Sequence, residues 1–177
     1  PLRDGDRVIV GDATGKLRAY ALSDGKSLWT AQLNGAIRGG ASSDGKAIYA
    51  ISQGGEAIAL RTDGKQIWRQ SIDRPPFDGK GPSEPIQAYS PPVVTADALL
   101  VTFSRDTYYQ DQPGILALDK RSGRVKWRAR APGQWGNVRS TPVVVSGLAI
   151  WGEPYSGDVA ALHVGTGKLA YRHTIGA

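Results

Sequence analysis

Short apolar runs separated by turn residues recur along the chain. Arg7–Val10, Ala47–Ile51, Leu99–Phe103 and Leu148–Trp151 each read as a buried strand. Two more strands follow each run, joined by a Gly-containing turn. In one of them Lys126, Arg128 and Arg130 alternate with Val125, Trp127 and Ala129, the period of two expected of a strand with one solvated face. A further strand precedes each run, clearest at Pro92–Val94 and Pro142–Val145. Hairpin turns at Asp44–Lys46, Thr95–Asp97 and Ser146–Gly147 separate it from the run. The pattern predicts units of four antiparallel strands, lettered A to D from the inside outward.

The units repeat. Gly15, Ala19, Gly25 and Trp29 recur as Gly55, Ala59, Gly64 and Trp68, as Gly114, Ala117, Gly123 and Trp127, and as Gly157, Ala161, Gly167 and Tyr171. In every copy the second glycine stands four residues before the aromatic. A period of roughly 40 residues with strand-like segments points to propeller blades. The second glycine lies in the C–D hairpin, where a positive φ is needed. The small alanine in strand C leaves room for the aromatic of strand D, which packs between neighbouring blades. The expected fold is all-β: one propeller domain over 1–177, with about four blades near 1–33, 34–72, 73–131 and 132–177. It is a partial propeller or half of a larger ring.

Composition supports this. The 177 residues include 23 Gly and 5 Trp, and 40% are hydrophobic, enough for a core. The net charge of +6 is spread along the chain, so no specific nucleic-acid site is expected. The densest basic stretch holds Lys120, Arg121, Arg124, Lys126, Arg128 and Arg130, and part of it is the solvent face of a strand. With no Cys there is neither a disulfide framework nor a thiolate metal site. Pro1 is not a natural start and no signal peptide is visible, so the chain reads as mature or trimmed.

Ala117, Asp119, Gly123 and Trp127 resemble the docking pattern Ala-x-Asp-x-x-x-Gly-x-x-x-Trp of the PQQ-like (quinoprotein-type) repeat family. The other copies depart from it with Ala21, Arg61 and His163 at the Asp position, and the second copy is a residue short. The stretch Ser140–Gly147 resembles the inner strands of scaffold lipoproteins of the outer-membrane β-barrel assembly machine. The resemblance implies a propeller of seven or eight blades and a periplasmic or extracellular location. The family holds PQQ-dependent alcohol dehydrogenases, non-catalytic scaffolds and propeller sensor domains of kinases.

Two insertions break the repeat, at 73–87 and 104–113. In a four-stranded blade the D–A and B–C loops share one face of the disc. That face then collects Phe77, Arg105, Asp106, Tyr108, Tyr109, Asp111, Trp135 and Tyr155. Aromatic residues with Arg on variable loops suit a binding surface, the alternative being that they pin the loops to the disc. Arg38, Tyr89 and Arg139 take matching positions at the start of strand A, near the channel mouth. They suit a carboxylate or the acidic groups of a quinone, or else hydrogen bonds between blades.

Other motifs are structural. Gly11–Lys16 imitates a phosphate loop but is a residue short, with Leu17 where Ser or Thr should bind Mg²⁺. Gly165–Lys168 fails likewise, and Asp4–Asp6 reads as a hairpin turn. His163 and His173 lack a third metal ligand. The favoured function is a non-catalytic binding or scaffold module for another protein or a small ligand, with self-association as a way to complete the ring. No cofactor or metal is expected. The alternative is a quinoprotein dehydrogenase, for which the family resemblance implies PQQ, Ca²⁺ and a covering adjacent-Cys disulfide. Trp135 and Trp151 are the candidate floors for the quinone, but Trp151 aligns with Val10, which favours core packing.

Overall fold

The structure is a computed structural model that describes residues 1–74, 84–103, 114–130, 140–153 and 157–174. All its regular elements among these residues are β-strands. The first sheet is β1 (Leu2–Asp4), β2 (Arg7–Gly11), β3 (Lys16–Ala21) and β4 (Ser27–Gln32). The second is β5 (Ala41–Ser43), β6 (Ala47–Ile51), β7 (Glu56–Arg61) and β8 (Gln66–Ser71). A short pair, β9 (Asp73–Arg74) and β10 (Glu84–Pro85), comes next. The third is β11 (Val93–Val94), β12 (Ala98–Phe103), β13 (Gly114–Asp119) and β14 (Val125–Arg130). The fourth is β15 (Val143–Val145), β16 (Leu148–Glu153), β17 (Asp158–His163) and β18 (Leu169–Thr174). Each four-stranded sheet is antiparallel and ordered as the chain runs, which is the blade of a β-propeller, and the chain is a partial one.

Burial follows strand position. The second strands β6 and β12 are buried along their whole length, because another blade covers each of their faces. The fourth strands β4 and β18 are mostly exposed at the rim. Ala19 pairs with Trp29, Ala59 with Trp68, Ala117 with Trp127 and Ala161 with Tyr171. One step further a bulge leaves Leu28, Ile67, Lys126 and Ala170 unpaired. The bulge increases the local twist, just where the aromatic has to reach sideways to the next blade.

Each blade docks on the next in the same way. The Trp29 indole N–H donates to the Thr62 carbonyl at 3.1 Å, that of Trp68 to Lys120 at 2.9 Å and that of Trp127 to Val164 at 2.8 Å. Every acceptor lies in the C–D turn of the following blade. The glycine of that turn lies under the ring. A Cβ on Gly64, Gly123 or Gly167 would stand 2.5 Å from Trp29, Trp68 or Trp127 respectively. All three glycines have positive φ. The shorter second copy closes its turn with a Gly64 N–H to Arg61 carbonyl bond, where the third copy spans one residue more, from Gly123 to Asp119. Gly64 still meets its ring.

Three apolar clusters fill the three junctions. Ile9, Leu17 and Ala19 meet Ile48, Ala50, Ile58 and Leu60 between the first two blades. Tyr49, Ala59 and Trp68 meet Leu99, Val101 and Leu116 between the second and third. Leu100, Ile115 and Ala117 meet Ala149, Trp151, Ala160 and Leu162 between the third and fourth.

A charged tie crosses the second junction. Asp44 accepts from Lys46 N–H, Ala47 N–H and the Tyr49 hydroxyl, and its carboxylate lies 3.0 Å from Lys120 Nζ. Burial works to raise this carboxyl, but the Ala47 N–H and the Lys120 ammonium outweigh it and hold it at about 2. Burial, with the Asp44 charge beside it, pushes the Tyr49 hydroxyl up to about 12. A depressed carboxylate stabilises the fold fully above the ordinary carboxylate range. The gain is lost as pH falls from the ordinary 3.8 to about 2. Solvent reaches this carboxylate and screens its pairs, so the shift is worth about 1 kcal/mol. Asp44→Asn is therefore expected to lower stability at neutral pH by about 1–2 kcal/mol. It should also flatten the acid limb of a stability–pH curve measured by urea unfolding. An unchanged acid limb would show that the tie does not stabilise the fold.

Candidate functional site

Backbone hydrogen bonds define the two faces of the disc. Leu33 N–H donates to Gly15 and Ile72 N–H to Gly55, which joins each D–A connection to the B–C turn of its own blade. Leu22 N–H donates to Asp6, Lys120 N–H to Asp97 and Val164 N–H to Gly147, which joins C–D turns to A–B turns. The long connections β8 to β11, β12 to β13 and β14 to β15 are all D–A or B–C connections. Topology therefore sends all three to one face and leaves short glycine turns on the other.

The residues expected on that face are Phe77, Arg105, Asp106, Tyr108, Tyr109, Asp111, Trp135 and Tyr155. All eight lie outside the described residues, as does Arg139. The base of the first insertion is a two-residue ribbon, with Arg74 opposite Glu84 and Asp73 opposite Pro85.

Arg38 and Tyr89 are described. Gly39, next to Arg38, runs directly against the backbone of Ser90, next to Tyr89. The two side chains therefore start from adjoining stretches of neighbouring blades. Exposed Arg38 donates from Nε to Gln53 at 3.4 Å, and half-buried Tyr89 donates from its hydroxyl to Gln87 at 3.1 Å. Each of these bonds stays within its own blade.

Side chains not singled out in the sequence hold the D–A and B–C connections in place. Glu56 accepts from the Asn34 N–H at 2.8 Å and pairs with Arg69 at 2.7 Å. Ser52 donates to the Asn34 carbonyl at 2.6 Å. In the fourth blade buried Asp158 takes Arg172 Nε at 2.9 Å and the Thr174 hydroxyl at 2.6 Å. Their only sequence signal is a carboxylate at the start of strand C.

The phosphate-loop imitation is a turn. Asp12 accepts from the Thr14 N–H, the Thr14 hydroxyl and the Lys16 N–H. These bonds, with the Thr14 hydroxyl foremost, and the Arg18 guanidinium hold its carboxyl well below the usual range. Asp4 is committed to Arg7 and to the Ser43 hydroxyl of the next blade. His163 and His173 join no cluster able to hold a metal among the described residues.

Of the two candidate quinone floors, Trp135 lies outside the described residues. Trp151 is 3% exposed and lies inside the junction of the third and fourth blades, where no cofactor can stack on it. Its indole N–H is the one buried side-chain donor without a partner among the described residues. No three acidic, His or Cys side chains converge on a cation site there.

The repeat has counterparts among known proteins. A family model described as outer membrane protein assembly factor BamB matches residues 13–177. The outer membrane protein assembly factor BamB of Yersinia pestis is 26% identical over 174 residues, 98% of this chain and 42% of that protein. The crystal structure of BamB from Moraxella catarrhalis has a TM-score of 0.70 at 20% identity, covering 99% of this chain and 47% of that one. A europium-containing methanol dehydrogenase has a TM-score of 0.68 at 15% identity, covering 97% of this chain and 40% of that one. The chain thus spans less than half the length of these relatives, and the structural likenesses carry the fold alone. The family match runs through all four Gly–aromatic copies, and the chain belongs to the BamB family of PQQ-like β-propellers.

Proposed function

We propose that the chain is a non-catalytic scaffold module of the periplasm that binds another protein, or a small ligand, on its loop-rich face. Outer-membrane protein assembly is the process the family match suggests. The observation that carries the reading is the segregation of loops. Three long connections leave from one face, and the other has only short turns. A rigid stack of blades with variable loops on one side suits recognition. Self-association through the outer blades belongs to the same reading.

The basic stretch of the third blade does not favour nucleic acid. Lys120 pairs with Asp44, Lys126 pairs with Asp97, and Arg128 and Arg130 are engaged as well. The dehydrogenase reading rests on likeness of fold to quinoproteins, and the surroundings of Trp151 do not support it.

Site-specific photocrosslinking tests the face. A photoreactive residue is placed in turn at Tyr108, Tyr109 and Trp135, and at exposed Lys46 and Lys65 on the opposite face. Adducts of discrete mass with envelope proteins are expected from the first three positions and not from the last two. Equal labelling from both faces, or adducts only from Lys46 and Lys65, would contradict the assignment.

A further inference from the structure

We propose that the short-turn face of the disc docks on an anionic phospholipid membrane and holds the blades with their loop-rich face turned away from the lipid. The inference goes beyond the reading above, because it concerns the opposite face and a different class of partner.

The repeat sets a cation at one position in every blade. The glycine of each C–D turn is followed by a basic residue, in turn Lys26, Lys65, Arg124 and Lys168. Asp44, Gly45 and Lys46 repeat the arrangement in an A–B turn, and Arg121 adds a second cation to the third C–D turn. The turn chemistry keeps these side chains in solvent. Asp24, Asp44 and Asp63 each accept the backbone N–H of the Lys two residues on. The hydroxyls of Ser122 and Thr166 accept those of Arg124 and Lys168. The small polar group thus closes each turn and leaves the basic side chain exposed.

Charge pairing on this face leaves a positive surplus. Asp4, Asp24, Asp44, Asp63 and Asp97 are ion-paired with Arg7, Lys26, Lys120, Arg61 and Lys126 respectively. Asp119 is turned into its own hairpin, where it accepts from the Arg121 and Ser122 N–H groups and the Ser122 hydroxyl. Among the described residues, exposed Lys46, Lys65, Arg121, Arg124 and Lys168 pair with no carboxylate. Against these five cations the turns hold only Asp6 and Asp119 outside an ion pair. On the loop face the arginines are matched instead, Arg18 by Asp12, Arg69 by Glu56 and Arg172 by Asp158.

The rigidity of the face selects the partner. The Trp29, Trp68 and Trp127 indoles are spent on turn carbonyls and the Tyr49 hydroxyl on Asp44, so these rings cannot stack on a base. The cations sit on tight hairpins fastened to their neighbours, and the blade repeat fixes their spacing. A folded partner would need carboxylates at that same spacing, and cations without an aromatic anchor give it little beyond steering. Lipid headgroups diffuse laterally, so anionic lipids collect under each cation whatever the spacing.

Vesicle flotation of the 177-residue chain tests this, with vesicles of phosphatidylcholine alone or mixed in equal parts with phosphatidylglycerol. Binding to the mixed vesicles and not to phosphatidylcholine is expected, and added salt should release it. Lys65→Gln should weaken binding about fivefold, and Lys65→Gln, Arg124→Gln and Lys168→Gln together about 100-fold. Lys16→Gln removes the same charge from an exposed position at the start of strand C, on the loop face, and should change binding less than about twofold. All four side chains are exposed and outside any ion pair, so the melting curves should match that of the unaltered chain. No binding to the mixed vesicles, equal binding to both kinds, or equal losses from Lys65→Gln and Lys16→Gln would overturn the proposal. So would a double-stranded oligonucleotide that binds as tightly as the mixed vesicles and loses affinity with the same substitutions. Crosslinking from the loop face reads the other claim separately, so either can fail alone.

Discussion

Replacing Trp68 with alanine is expected to destabilise the chain by about 4 kcal/mol, the range for an aromatic removed from a packed interior. Trp68 is 7% exposed, lies over Gly123 and sits 6.3 Å from the Tyr49 ring, centroid to centroid. Truncation empties the centre of the junction between the second and third blades. It also removes the donor that meets the Lys120 carbonyl at 2.9 Å, so a turn carbonyl loses its partner. Trp29 makes the same contacts with Thr62 and Gly64 but is only half-buried, so Trp29→Ala should cost less. Urea unfolding followed by circular dichroism measures both. A loss under about 1 kcal/mol for Trp68→Ala would mean that the aromatic is not what fastens the blades.

Gly123→Ala should cost about 3 kcal/mol, from two separable sources. At φ +72° an L side chain is strained by about 1 kcal/mol. The new methyl would also stand 2.5 Å from Trp68 Cε3, and the ring is held by its hydrogen bond and its neighbours. Overpacking of this kind costs about 1–3 kcal/mol. Gly25 provides the control, with φ +70° and open space. In a monomer-only sample Gly25→Ala should show the strain alone, about 1 kcal/mol. The difference between the two variants in the same unfolding experiment isolates the docking contact. Equal losses would show that conformation alone explains the recurring glycine.

Much of the blade was readable because its chemistry is local. The C–D glycine, the small alanine and the aromatic lie within one hairpin, and their spacing alone shows both turn and partner. The apolar second strands were equally plain, since Ala47–Ile51 is covered on both sides. The core position of Trp151, read from its alignment with Val10, agrees with its burial. The first strand of the second blade was harder to see. Ser42 and Ser43 look unlike a strand because they serve neighbours: Ser42 donates to the Pro92 carbonyl and Ser43 to Asp4. Asp44 read as an ordinary turn residue, and its tie to Lys120 depends on where the next blade puts that side chain. At the site, the sharing of one face by the long connections followed from the order of the strands. The contacts of Arg38 and Tyr89 did not, because Gln53 and Gln87 reach them only once the turns have closed.

The central claim is a binding propeller without quinone chemistry, and titration with PQQ and Ca²⁺ tests it most directly. Five Trp residues make fluorescence a sensitive probe of a stacked quinone. With the fold confirmed by circular dichroism, the account predicts no saturable quenching, no calcium dependence and no dye reduction when an alcohol is added. Saturable, calcium-dependent quenching with a shifted quinone spectrum and alcohol-driven dye reduction would contradict it and make the chain part of a dehydrogenase.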